Sequence, residues 1–164
     1  MSTQTSLMNP NRGKYLSQNV WAGALLGLGF VAFVDEAVFH QLLHWHHFYD
    51  LSTPEWGLIW DGIFHSFSWF ATIGSSFLLA DLHRKHAFWP KRWFGGILFG
   101  GGAFQLYDGI IQHKWMRIHQ IRYNVDIFPY DLVWNIIAAI MIVVGLYLLS
   151  QTKKSSLSTS EGVS

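Results

Sequence analysis

Four apolar stretches, each long enough to cross the hydrocarbon core of a bilayer, constrain the fold of this chain more than any other feature. They cover residues 20–44, 57–82, 93–115 and 127–149, and a membrane-spanning helix needs about 20 such residues. The chain is 51% hydrophobic and only 13% charged. Because a span in lipid must satisfy its own backbone hydrogen bonds, the sequence predicts an all-α integral membrane four-helix bundle.

The polar residues at either end predict three parts. They are a cytoplasmic N-terminal leader at 1–19, a transmembrane domain at 20–150 and a disordered, Ser-rich cytoplasmic tail at 151–164. The chain has eleven Lys and Arg residues. Eight of them lie in the terminal segments and in the loop between the second and third stretches, and the other three are Lys114, Arg117 and Arg122. The positive-inside rule therefore places both termini in the cytoplasm. A net charge of +1 gives no electrostatic basis for binding nucleic acid.

Ionisable residues are concentrated at the outward end of the predicted bundle. Seven of the nine histidines are there, together with five carboxylates. The set is His40, His44, His46, His47, His65, His113 and His119 with Asp35, Glu36, Asp61, Asp108 and Asp131. Such groups are costly inside a membrane and usually mark a functional site. Because the chain has no cysteine, histidine and carboxylate must carry any metal chemistry.

An internal repeat organises these residues. Asp35, His40 and His46 have the same spacing as Asp108, His113 and His119, and an apolar run with Gly and Phe precedes each set. The chain is therefore predicted to contain two tandem helical hairpins in parallel orientation, related by a pseudo-twofold axis along the membrane normal. Glycines at Gly23 and Gly27, and at Gly96 and Gly100, have the spacing that allows close helix approach.

The rise of about 1.5 Å per residue along a helix predicts which groups lie at the same depth. His40 is level with Asp61 and His113 is level with Asp131, so we expect Asp–His pairs between neighbouring helices. In an α-helix, Asp35 and His40 are about 140° apart and cannot both face one small ion.

Residues four apart share a helix face, so Glu36, His40 and His44 form one column, which favours Glu36 as the ligand beside His40. The second copy has Gly109, Arg117 and Asn135 where the first has Glu36, His44 and His65. We therefore expect one site, centred on the first hairpin and completed by His113, rather than two equal sites.

Histidine and carboxylate ligands suit Cu(II), Zn, Fe or Mn. Haem is a second option, with His40 and His113 as equivalent axial ligands from the two copies. His46 and His47 are interpreted as part of an interfacial belt beside Trp45 and Phe48, and His119 has the same interpretation open to it. A metal-free polar network that only fixes helix register is a further alternative.

Four segments resemble the signature blocks of a bacterial family of small four-span membrane proteins known as domain of unknown function 2243. They are FVDEAVFHQLLHWHHFYD, WDGIFHSFSWFAT, AFQLYDGIIQHKWMRIHQIR and YDLVWN. The family pattern has Asp-Gly where this chain has Asp35-Glu36. It often has His-His where this chain has His113-Lys114 and His119-Gln120.

The resemblance implies residence in the bacterial cytoplasmic (inner) membrane. It favours as ligands Asp35, His40, His44, Asp61, His65, Asp108, His113 and His119. Genes of the family occur near assembly factors for haem-copper oxidases, which implies metal or haem handling and, as partner, a respiratory complex or its assembly factors.

The sequence thus predicts a metal site in the outer half of a membrane bundle, in contact with lipid. The candidate metal ligands are Asp35, Glu36, His40, His44, Asp61, His65, Asp108, His113, His119 and Asp131. The leading function is metal or haem handling linked to assembly of a respiratory oxidase. The alternatives are a membrane-embedded metalloenzyme, a hydrolase or oxidoreductase, and a structural or assembly subunit.

Overall fold

The computed structural model describes residues 14–161, with side chains described as far as residue 152. Within this range the chain has only helices and loops. The helices are α1 (Leu16–Asp35), α2 (Pro54–Arg84), α3 (Pro90–Tyr107) and α4 (Phe128–Glu161). Wider helical segments continue two of them: π1 (Glu36–Leu42) follows α1, and π2 (Asp108–Met116) follows α3. The predicted all-α fold with four helices is confirmed.

Proline sets the start of two helices. Pro54 and Pro90 occupy the first turns of α2 and α3, where a missing N–H leaves no hydrogen bond unmade and the fixed φ suits the helix. Large apolar side chains on the outer faces, such as Phe30 and Phe77, are 61% and 73% exposed. Such faces are stable in lipid and would be unfavourable in water.

Three helical segments are long and apolar enough by themselves to cross a membrane: Leu16–Leu42, Pro54–Arg84 and Phe128–Thr152. The predicted third span, which the structure forms from α3 and π2, does not reach that level of hydropathy. Its buried positions are mostly glycine, at Gly95, Gly96, Gly100, Gly101 and Gly102. Glycine contributes close packing rather than apolar surface, so this helix is suited to a position between other helices.

Helices α1 and α3 form the central pair, with α2 packed on α1 and α4 packed on α3. Glycines form the closest contacts of this central interface. A Cβ on Gly23 would collide with the carbonyl oxygen of Trp93, and one on Gly27 with that of Ile97. Both helices run toward the histidine-rich end, where each continues into its π segment.

The ends of the chain differ in part from the expected boundaries. Helix α1 begins at Leu16, inside the expected leader, and residues 1–13 lie outside the described residues. Helix α4 continues to Glu161, so its backbone is helical across most of the segment expected to be a disordered tail. Residues 162–164 lie outside the described residues.

Candidate metal centre

The ends of the central helices bring two similar groups of side chains together. Asp35, His40 and His46 form one group, in which one ligand atom from each residue lies within 4.8 Å of the others. Asp108, His113 and His119 form the second group by the same measure. All six residues are buried. Each group draws a carboxylate and a histidine from one helical segment and a second histidine from the loop that follows it.

The π segments explain how Asp35 and His40 can share a group. The expectation that they could not is wrong, because it assumed α-helical geometry across residues 35–40. In a π-helix the hydrogen bonds run between residues five apart, which brings positions i and i+5 onto one face. The same holds for Asp108 and His113 at the start of π2. The π-helical geometry thus places two residues that are five apart in the same group.

Nδ1 of His46 and His119 hydrogen-bonds a backbone carbonyl, and Nδ1 of His40 and His113 faces carboxylates. His46 Nδ1 donates to the carbonyl oxygen of Ile121 over 3.0 Å, and His119 Nδ1 donates to that of Phe48 over 2.8 Å. His40 Nδ1 lies 2.7 Å from Glu36 Oε2 and 3.2 Å from Asp61 Oδ1. A partner at Nδ1 fixes the ring orientation and the tautomer, as is typical of histidines that ligate metals.

The fourth histidine follows the same pattern more loosely, since His113 Nδ1 lies 3.8 Å from Asp131 Oδ1. Nδ1 of His40 and His113 makes no hydrogen bond within the described part of the chain, and the Nε2 atoms of all four rings are buried and make none either. Those of His113 and His119 lie 3.1 and 3.4 Å from the Asp108 carboxylate, and that of His40 lies 3.9 Å from Asp35.

This arrangement needs either a cation or an additional proton. His119 Nδ1 must carry a hydrogen because its partner is a carbonyl, so in the neutral ring Nε2 has only a lone pair. That lone pair faces the Asp108 carboxylate, which also has only lone pairs when ionised. Two buried acceptors facing each other are unfavourable unless a cation or an additional proton lies between them. A metal ion meets that requirement.

The four imidazole rings pack against one another. The His46 and His119 rings are stacked, with centroids 4.7 Å apart. His40 lies 4.5 Å from His46, and His113 lies 4.7 Å from His119. Burial, and then the neighbouring His40 and His119, lower the pKa of His46 to about 2. Its imidazole is therefore neutral and able to donate its lone pair to a metal.

A family model described as "Predicted membrane protein (DUF2243)" matches residues 22–152, a range that contains every residue of both groups. The chain belongs to this family. No curated protein and no solved structure matches this chain. The resemblance expected from the four sequence segments is thereby confirmed.

In this member of the DUF2243 family, carboxylates also surround His40. Glu36, His40 and Asp61 make a third group whose ligand atoms lie within 4.8 Å of one another. The Asp61 carboxylate also lies 2.6 Å from His47 Nδ1 and accepts the Phe48 N–H over 2.7 Å. The expected pairing of His40 with Asp61 is confirmed, as is the contact of Glu36 with His40.

The remaining predicted ligands lie apart from the two groups. His44 is exposed, in a left-handed backbone conformation. His65 is half-buried and accepts the indole N–H of Trp69 over 3.1 Å. Asp131 is paired with Lys114 and only approaches His113. The geometry therefore places these three outside the clusters that could hold an ion.

His46 is the residue that sequence reasoning missed. It was interpreted as interfacial because Trp45 and Phe48 flank it, yet it is buried against His119. The repeat already contained the signal, because His46 corresponds to His119 and both complete the same Asp-His-His spacing. An aromatic neighbourhood did not mean membrane-surface exposure here, since the loop folds back over the ends of the central helices.

Proposed function

We propose that this chain is a multi-pass membrane protein that binds transition-metal ions between the ends of its central helices. The observation that carries the proposal is the orientation of four buried imidazoles. In each ring Nε2 is buried and makes no hydrogen bond among the described residues, and Nε2 of His40, His113 and His119 faces the Asp35 or the Asp108 carboxylate. A structural polar network would use both ring nitrogens in hydrogen bonds.

The geometry supports two ions rather than the single site expected from the sequence. The Asp35 and Asp108 groups share no residue, and each provides two imidazoles and one carboxylate. We infer that they are the equivalent sites of a tandem repeat whose axis passes between α1 and α3. Reciprocal packing supports this axis, since a Cβ on Gly23 would lie 3.0 Å from Gly96 Cα and one on Gly96 would lie 3.2 Å from Gly23 Cα.

Fe, Zn, Mn and Cu(II) all suit nitrogen and carboxylate ligands. The packing of the rings favours small ions over haem as the cofactor. A porphyrin bound by His40 and His113 would have to lie between these rings, in the space that the stacked His46 and His119 rings adjoin. We therefore propose metal ions as the cofactor, with metal handling for a respiratory oxidase as the role that the resemblance implies.

A membrane-embedded metalloenzyme is the second candidate, and one observation favours it. Two imidazoles and one carboxylate leave coordination positions open for a substrate, as in non-haem iron oxygenases. A pocket of about 310 Å³ beside His40 and Asp61 gives a route toward the centre from the outer loops. A closed, saturated site would instead favour metal handling or a structural role.

The proposed topology has four spans in the bacterial inner membrane, with both termini cytoplasmic. Helix α3 with π2 spans although its hydropathy is lower, because its glycine face is covered by α1 and α4. The metal centre then lies in the outer leaflet. Accessibility of single cysteines placed at Ser17 and Asn124 to an impermeant thiol reagent in intact cells tests the orientation. We expect labelling at position 124 alone.

Metal analysis by mass spectrometry tests the function. Protein is purified without chelator or a metal-affinity step and loaded separately with Fe, Zn, Mn and Cu. We expect two ions per chain in the wild type, one in His119→Ala, and two in His83→Ala, which removes an exposed histidine at the opposite end. A folded protein that retains none of the four metals would overturn the proposal.

A further inference from the structure

A second feature lies within the membrane-spanning part of the molecule, directly below the histidine cluster. An apolar groove of about 600 Å³ runs between α1, α2 and α3. Fourteen of its fifteen lining residues are apolar or aromatic, and eight are aromatic. Trp21, Phe67 and Tyr107 on its walls are 63%, 48% and 50% exposed, so the groove opens sideways toward lipid.

The outer end of the groove is continuous with the candidate metal centre. Phe48 lines the groove, and its carbonyl oxygen accepts the Nδ1 hydrogen of His119. Phe64 lines it as well, with its ring centroid 5.8 Å from that of His40. A molecule in the groove therefore lies one side chain away from the imidazoles of both groups.

Gln112 is the exception in this lining. It is 2% exposed, directly precedes His113, and its Oε1 atom has no hydrogen-bond partner among the residues that the structure describes. A buried amide oxygen without a partner is destabilising. A ligand with a hydroxyl group could satisfy this oxygen, whereas a saturated hydrocarbon chain could not.

We propose that this groove binds a lipid-soluble molecule with a flat aromatic head that carries a hydroxyl group, such as a quinol, with the head at Gln112. Aromatic walls favour a flat ring through stacked and edge-on contacts. The sideways opening suits a hydrophobic tail that remains in the bilayer. Binding of this ligand does not depend on the proposed metal centre. A role for the ligand as the substrate of a metalloenzyme does rest on that centre.

Binding is measured by native mass spectrometry and equilibrium dialysis on full-length protein in nanodiscs, with metal and after chelation. The probe is a decyl-substituted hydroquinone, and decanol is the matched aliphatic probe. Ala103→Trp places an indole in the groove, and Ala139→Trp makes the same change on the exposed face of α4, outside the groove. Gln112→Leu removes the polar group with little change in size.

We expect the hydroquinone to bind more tightly than decanol in both metal states. Affinity should fall at least roughly tenfold in Ala103→Trp, stay unchanged in Ala139→Trp, and fall roughly three- to tenfold in Gln112→Leu, the value of one hydrogen bond. Equal binding of the two probes, unaffected by Gln112→Leu, would overturn the proposal and identify the groove as a site for acyl chains. Hydroquinone binding by a protein that takes no metal would refute the metal centre alone.

Discussion

The two halves of the candidate metal centre share a pattern of side chains and differ in what surrounds it. In the first half His40 Nδ1 lies 2.7 Å from Glu36 and 3.2 Å from Asp61. In the second half His113 Nδ1 is 3.8 Å from Asp131, and that carboxylate is already paired with Lys114. Gly109 occupies the position equivalent to Glu36. The first half is therefore richer in negative charge, and we expect it to hold its ion more tightly.

The largest effects should come from the histidines that complete each group. His46→Ala and His119→Ala each remove a ligand from a different group. We expect each variant to fall from two ions per chain to one, with affinity at the damaged site lowered by more than roughly 100-fold, beyond the 10- to 100-fold typical of groups that only support a ligand. Quantitative metal analysis after dialysis checks the stoichiometry. Loss of both ions in either variant would mean that the halves do not bind independently.

Asp61→Asn and Asp131→Asn compare the carboxylates behind His40 and His113. Because Asp61 is close to His40 and Asp131 is occupied by Lys114, we expect Asp61→Asn to lower affinity at the first site roughly 10- to 100-fold. The effect of Asp131→Asn at the second site should be smaller. Competition with a fluorescent chelator measures both. Equal losses would remove the basis for ranking the two sites.

Glu36→Gln makes the first half more like the second without changing side-chain size. The carboxylate lies against His40 and also accepts the side-chain amide of Gln41 over 2.7 Å. We expect the difference in affinity between the two sites to shrink without disappearing, since Glu36→Gln removes one negative charge beside His40 and the Asp61 carboxylate remains 3.2 Å from His40 Nδ1. If Glu36 is itself a ligand, the variant would instead lose the ion, as His46→Ala does.

The smallest effects are expected at His44 and Arg117, which occupy equivalent places just after the two π segments. Both have left-handed backbone conformations, with φ of 50° and 53°. A residue other than glycine costs about 1–2 kcal/mol there. We expect His44→Gly and Arg117→Gly to leave metal content unchanged and to raise stability by no more than about 1 kcal/mol, because the entropy that glycine loses on folding offsets part of the relieved strain; thermal unfolding in detergent measures this. Loss of metal in His44→Gly would restore His44 as a ligand.

The sequence predicted the four helices and the main members of the two side-chain groups that could hold an ion. Long apolar stretches predicted four helices, and the repeat identified Asp35, His40, Asp108 and His113. Matching the depths of groups on antiparallel helices predicted the pairing of His40 with Asp61. These inferences succeeded because they depend on residue type and on distances along a chain, which the sequence gives directly.

The rest depended on backbone geometry that side-chain patterns do not encode. Counting at 3.6 residues per turn separated Asp35 from His40, whereas π1 brings them together. The same counting favoured His44, which instead falls where the helix ends in a left-handed residue. His46 lies in a loop, and no periodicity predicts the path of a loop. Its relation to His119 in the repeat was the better guide.

The glycine contacts between α1 and α3 have a consequence for the chemistry at their ends. Each central helix carries one three-residue group just beyond its last turn, so the closeness of the two helices sets how far apart two bound ions would be. Side chains at Gly23 or Gly27 would force the backbones apart and lengthen that separation. The distance between the two polar groups is thus set by residues that have no polar side chain.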